Sequence, residues 1–224
     1  MKQRFGISQD GLKLLACLTM LMDHIGLLFF PYVRWLRIVG RLSFPLYCFL
    51  LSEGIHHTRS PVKYGLRLLF VAVITELPYD LLFLGKFTWA KNSVMLTLLL
   101  GFCMGLCMKR CPPWAKCFAL LPFAFLARYT HGTYGMEGVL MIALFLLTRE
   151  LPCGLLTQTV LMVLLSLRMA GFPAHISIQF WAVAAMLPIA LYSGSKRSHS
   201  KALQWGFTLF YPLHIILLLL IRMI

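Results

Sequence analysis

The sequence predicts an all-α fold: a polytopic transmembrane helical bundle of about nine spans with a cytoplasmic N-terminus. Three observations carry this reading. Of 224 residues, 60% are hydrophobic and only 12% are charged, whereas a soluble domain is about half apolar and about a quarter charged. Mean hydropathy is +0.81. The apolar residues come in runs near the ~20 residues that span a bilayer, separated by short polar or Pro/Gly-containing breaks. No soluble domain, repeat or low-complexity tract interrupts this pattern, so residues 1–224 read as one integral membrane domain. The apolar run after Lys2 and Arg4 is a full span without a small-residue cleavage site, which argues against a cleaved signal.

The elements follow in order. A first helix over 10–30 ends at Pro31, because proline lacks the N–H that a continuing helix needs. A second, over 33–56, stops at "HTRSP", and a third, over 62–84, at "GKFTWAKN". The fourth, 92–109, runs into "KRCPPWAK" and the fifth, 114–128, into "THGTYG". The sixth, 134–149, is closed by "RELPCG" and the seventh, 152–169, by "AGFPA". The eighth, 175–192, precedes "SGSKRSHSK" and the ninth covers 202–223. Each break concentrates residues that favour turns over helix.

The formal charge is +14. In a soluble protein that would suggest nucleic acid, but here most basic residues sit at span ends, where snorkelling keeps them wet. No soluble basic face exists, so nucleic acid is excluded as a partner and membrane lipid is expected. With the N-terminus inside, eleven basic residues fall on the cytoplasmic side: Lys2, Arg4, Arg59, Lys63, Lys109, Arg110, Lys116, Arg149, Lys196, Arg197 and Lys201. Six fall outside: Arg34, Lys86, Lys91, Arg128, Arg168 and Arg222. That asymmetry sets the orientation and points to a bacterial-type inner, cytoplasmic membrane. Among seven cysteines, Cys103, Cys107 and Cys111 form an i, i+4, i+8 stripe. Without an interleaved His or a CxxC pair it reads as small-residue helix packing, and no metal is expected.

The informative residues are the charges inside the spans. Asp10 and Glu150 lie at span ends, but Asp23, Glu53, Glu76, Asp80 and Glu137 do not. A charged group at the bilayer centre costs ~2.5–3.5 kcal/mol even on the lenient insertion scale, so such groups face a protein interior with partners. Hairpin turns near Pro31 and Ser60 set Asp23, His24, Arg37, Arg41, Glu76 and Asp80 at one depth, in the outer half of the membrane. A histidine beside carboxylates and arginines in a low-dielectric cleft is an arrangement that tunes a general base. Glu53 falls level with Arg67, which a structural ion pair would explain. Lys13 and His24, eleven residues apart, share one wall of the first helix about 16 Å from each other.

These residues lie within blocks that resemble the TraX family of membrane proteins, whose namesake N-acetylates conjugative pilin. The blocks are "LKLLACLTMLMDHIG", "LRIVGRLSFPLYCFLLSEGIHHTRS", "TELPYDLLF", "NSVMLTLLLG", "YGMEGVLMI" and "FYPLHIILL". They recur in order over almost the whole chain. Lys13-x10-His24 also resembles the basic-x10-His signature of a wider group of membrane acyltransferases, with Lys in place of the usual Arg. Arg34 to Arg37, "RWLR", resembles their RxxR element. Those relatives usually have ten or more spans, against the nine counted here. The resemblance implies transfer of an acetyl or other acyl group from acyl-CoA to a small-molecule or peptide N-terminal acceptor.

The residues suit that chemistry. Acyl transfer to an amine or hydroxyl needs a base on the nucleophile, a partner for the oxyanion and a hold on the donor. Neutral His24 suits the base. Asp23 points about 100° away around the helix, so Glu76 or Asp80 is the better orienter of the imidazole. "TELPYD" places Pro78 between those two acids, where it is expected to open the helix. Lys13, Arg34, Arg37 and Arg41 can bind the donor or steady the oxyanion. Asn92, Thr97, Tyr134 and Glu137 are further candidates. His214 in "YPLH" is either a second catalytic group or a packing residue, with Pro212 expected to kink its helix. A proton-coupled small-molecule transporter is the alternative, since a His–carboxylate chain can relay protons, though no internal repeat of the transporter kind is visible. The absence of HExxH, GxSxG and paired-glutamate motifs weakens an intramembrane protease.

Overall fold

The computed structural model describes residues 6–88, 91–149, 151, 153–170, 177–194 and 201–223. Among them the structure is helical, and the only β-pairings are isolated bridges, Ile7 with Tyr192 and Asn92 with Gly132. The topology charges Lys2, Arg4, Lys196 and Arg197, the acid Glu150 and most of the breaks "AGFPA" and "SGSKRSHSK" lie outside the described residues.

Helix α1 runs Gln9–Leu28, started by the Ser8 side chain, which accepts the Gly11 N–H at 3.1 Å. Asp10 in its first turn complements the helix dipole. The second expected span divides into a short α2, Arg34–Gly40, and α3, Ser43–His57. Arg41 caps α2, its N–H reaching back to Arg37, Ile38 and Val39 carbonyls, so the chain changes course at the arginine that carries the ion pairs described below. Helix α4, Pro61–Leu84, begins on a proline, where the missing N–H costs nothing, and ends at Gly85 with φ 71°. It continues through Pro78, and α10, Lys201–Met223, through Pro212; in neither case does proline end the helix.

Next come α5, Val94–Arg110, α6, Lys116–Tyr129, α7, Gly135–Thr148, and α8, Gly154–Ala170. The eighth expected helix is a correction: it is a 3-10 segment over Ile178–Ala185 followed by a five-residue α9, Met186–Ala190. Among the described residues, three helices are long and apolar enough to cross a membrane by length and composition: Gln9–Leu28, Arg34–His57 and Ala202–Met223. Three shorter apolar helices accompany them, Gly135–Thr148, Gly154–Met169 and Ile178–Ala190. Helix α4 has the length, but Lys63, Arg67, Glu76 and Asp80 interrupt its apolar run. Rows of large apolar side chains stay exposed, among them Leu66, Phe70 and Val73 on α4, and Leu213, Leu217 and Leu220 on α10. Such rows suit a lipid solvent, and the chain is a membrane protein.

The described chain divides into two compact units formed by interleaved segments. Unit 1 comprises Met1–Leu50 and Thr148–Phe207, unit 2 Leu51–Leu147 and Thr208–Ile224. Unit 1 buries Leu12, Ala16, Leu46 and Cys48. Unit 2 buries Phe102, Met141, Ile142 and Phe145, with Gly101 lying so close to Ile142 that a Cβ there would come within 2.1 Å of its Cδ1. Close approach at small residues is how helices pack where lipid removes the hydrophobic drive.

Candidate functional site

In unit 1 the functional candidates converge where α1 meets α2. Asp23 is the counter-ion of two arginines. Arg41 Nη2 donates to its Oδ1 at 2.6 Å and Oδ2 at 2.5 Å, and Arg37 Nη1 lies 3.0 Å from Oδ2. Arg37 also donates to the Asp23 carbonyl at 3.1 Å. All three side chains are less than one-fifth exposed, which makes these charge-assisted bonds strong. Gly40 permits the approach, since a Cβ at that position would fall 2.3 Å from the Asp23 Cβ. Arg41 Nη1 adds a bond to Gln179 Oε1 at 3.3 Å from the 3-10 segment. No sequence signal joins positions 138 apart, and Gln179 was missed for that reason.

Two expected donor-binding arginines therefore serve a structural bond as well. Arg37 and Arg41 neutralise Asp23, while Arg34, one turn earlier on α2, is exposed. Half-buried His24 follows Asp23 on α1, so the lock fixes the stretch of backbone that carries the imidazole. Lys13, on the same helix, pairs with Asp10 at 3.1 Å and lies over the Phe207 ring, 5.3 Å from its centroid.

Unit 2 holds a second polar centre, built around the start of α5. Glu76 receives the Ser93 N–H at 3.0 and 3.3 Å on its two oxygens. Asp80, one turn on, receives the Thr88 N–H at 2.8 Å on Oδ2. Both carboxylates, expected to orient an imidazole, thus bind backbone N–H groups of the segment before α5. Asn92 ties that segment to the loop before α7: its N–H donates to His131 O at 3.2 Å, its side-chain amide to Thr130 O, and its carbonyl accepts the Thr133 N–H at 3.1 Å. The Thr133 hydroxyl donates to the same carbonyl at 3.0 Å, which leaves Tyr79 O–H as the donor in its 3.0 Å bond to Thr133 Oγ1. These bonds hold His131 at φ 49°, a conformation non-glycine residues seldom adopt.

The remaining candidates are dispersed within unit 2. Thr97 is buried against Gly132, where a Cβ would meet its hydroxyl at 2.8 Å. The Tyr211 hydroxyl reaches the Val94 backbone, with Glu76 and Tyr134 close enough to interact electrostatically. His214 stacks on Phe210 with centroids 5.0 Å apart, and its Nδ1 lies 2.8 Å from the Phe210 carbonyl. Glu137 is half-buried in the first turn of α7. Buried Glu53 lies 3.8 Å from His57, one turn along α3. Cys103 and Cys107 are exposed, and among the described residues no group of three or more His, Cys, Asp or Glu could hold a metal ion.

A family model described as TraX protein matches residues 8–222. A probable fimbrial assembly protein FimC, serogroup H1, of Dichelobacter nodosus is 29% identical over 237 aligned residues, 97% of this chain and 97% of its own length. Protein TraX of Escherichia coli is 27% identical over 138 residues, 60% of this chain and 54% of that one. An uncharacterized protein of Rickettsia prowazekii (strain Madrid E) is 32% identical over 95 residues, 42% of this chain and 35% of that one. No solved structure matches the chain.

Proposed function

Because the chain belongs to the TraX family, we propose that it is a membrane acyltransferase, moving an acetyl or other acyl group from acyl-CoA to an amine or hydroxyl. His24 is the general base. It removes the acceptor's proton as the nitrogen or oxygen attacks the thioester carbonyl. The C–S bond then breaks, and the leaving CoA sulfur takes the proton from the imidazolium. Lys13, Arg34, Arg37 and Arg41 supply positive charge for the CoA phosphates and the oxyanion. The protein sits in the cytoplasmic membrane as a multi-pass bundle with its N-terminus inside. The similarity to a probable fimbrial assembly protein of Dichelobacter nodosus favours a peptide N-terminus over a small molecule as acceptor.

The observation that carries this reading is the lock on α1. Asp23, the residue before His24, is clamped by Arg37 and Arg41. A base must be held within a few tenths of an ångström to act, and a rigid support supplies that. The test is thermal unfolding of detergent-purified protein with and without CoA. CoA should raise Tm saturably, and Lys13→Ala combined with Arg34→Ala should remove most of the rise. A Tm indifferent to CoA and acetyl-CoA up to millimolar concentration would overturn the proposal.

A further inference from the structure

The start of α5 has an electrostatic problem that the acyl-transfer reading does not use. Glu76 and Asp80 are one turn apart on α4, and among the described residues neither has a Lys, Arg or His counter-ion. Asp80 is fully buried. Two neighbouring carboxylates in a low-dielectric site repel, and a buried charge is costly unless it is paired.

Three oxygen atoms at this junction are also buried with no hydrogen-bond partner: Asp80 Oδ1, Asn92 Oδ1 and Ser93 Oγ. Their side chains are all more than nine-tenths buried. Asp80 and Ser93 lie along α4, tied there by the bonds Thr88 N–H to Asp80 and Ser93 N–H to Glu76, and Asn92 directly precedes Ser93 in the chain. Two neighbouring donors are engaged elsewhere: the Asn92 amide donates to Thr130 and the Tyr79 hydroxyl to Thr133. Buried acceptors left open beside two carboxylates that are held by backbone N–H groups rather than by a cation suit a positively charged ligand.

We propose that Asp80, Asn92 and Ser93, with Glu76 behind them, form a binding site for a compact monovalent cation, either an alkali-metal ion or a primary ammonium group. Three open acceptors match the three donors of a primary ammonium, and oxygen ligands equally suit an alkali ion. The site lies wholly within unit 2 and does not depend on acyl transfer.

The test is thermal unfolding of the full chain in detergent at constant ionic strength. N-methylglucamine chloride is exchanged stepwise for sodium, potassium or methylammonium chloride. At least one compact cation should raise Tm saturably by several degrees. A response to sodium or potassium identifies a metal-ion site, and a response to methylammonium alone identifies an ammonium site. Asp80→Asn should abolish the rise. Ser93→Ala, which keeps both carboxylates, should move half-saturation to several-fold higher concentration. Asp10→Asn should titrate as wild type. Equal Tm in all four salts, or a Ser93→Ala protein that titrates as wild type, would overturn the site.

Discussion

Replacing Asp23 with alanine should unfold the protein at a markedly lower temperature. The carboxylate holds two guanidiniums through contacts of 2.5, 2.6 and 3.0 Å, and all three side chains are 14–19% exposed. Removing it leaves both cations in the protein interior without the anion that compensates them. Breaking such a pair from one side costs about 3–5 kcal/mol. For a chain of this length each kcal/mol lowers Tm by roughly 2–4 °C, so the expected fall is about 6–20 °C. The comparison is Asp10→Ala, which breaks the i, i+3 pair with Lys13 at the start of α1. That pair is of similar burial, 16% and 21% exposed, but its carboxylate holds one cation where Asp23 holds two, so its Tm should fall by less. The assay is a thiol-independent unfolding measurement, such as intrinsic tryptophan fluorescence of the detergent-purified protein. A double-mutant cycle with Arg41→Ala should be strongly non-additive, because groups in one network are lost together. If Asp23→Ala melts within ~2 °C of Asp10→Ala, the lock contributes no net stability and the reasoning about α1 fails.

Three other outcomes follow from the same geometry. Gly40→Ala should lower Tm by an amount corresponding to about 1–3 kcal/mol, because its Cβ would sit 2.3 Å from that of Asp23; Gly206→Ala, with no atom within 4 Å, is the control in the same melt. Arg34→Ala should weaken CoA-dependent stabilisation while lowering the CoA-free Tm less than Asp23→Ala does, since Arg34 is exposed; an Arg59→Ala protein that loses the same response would point to nonspecific charge. Thr133→Val should cost about 0.5–1.5 kcal/mol in unfolding measurements, because it removes the 3.0 Å partner of the Tyr79 hydroxyl. Tyr79→Phe in the Thr133→Val background should then recover part of the loss.

The helical class was legible because composition and run length are global properties. Gln9–Leu28 and Pro61–Leu84 fall within about two residues of their expected bounds, where Ser8, Pro61 and Gly85 mark the ends. The break after Gly40 was not legible, since "VGRLS" contains no proline and its turn is fixed by Arg41 reaching Asp23. The 3-10 segment at Ile178–Ala185 is as apolar as an α-helix, so hydropathy cannot distinguish them. At the candidate site, hairpin depth brought Asp23 to Arg37 and Arg41, and the structure has those pairs. Depth alone could not show that Glu76 and Asp80 bind N–H groups of Ser93 and Thr88, because backbone donors carry no residue signature. Asn92 was singled out as a polar residue in an apolar chain, whereas its partners Thr130, His131 and Thr133 required the fold of the loop.

The central claim, that His24 is the base of an acyl transfer, is tested most directly by following label from radioactive acetyl-CoA. Purified protein in detergent or liposomes is incubated with peptides bearing a free N-terminal amine, and with simple amine and hydroxyl acceptors. The account predicts time-dependent labelling of at least one acceptor class. His24→Ala should lose about 10²–10⁴-fold in rate, the usual contribution of a positioned base, while matching wild type in CoA-dependent Tm shift. Labelling by His24→Ala at more than a tenth of the wild-type rate would contradict it.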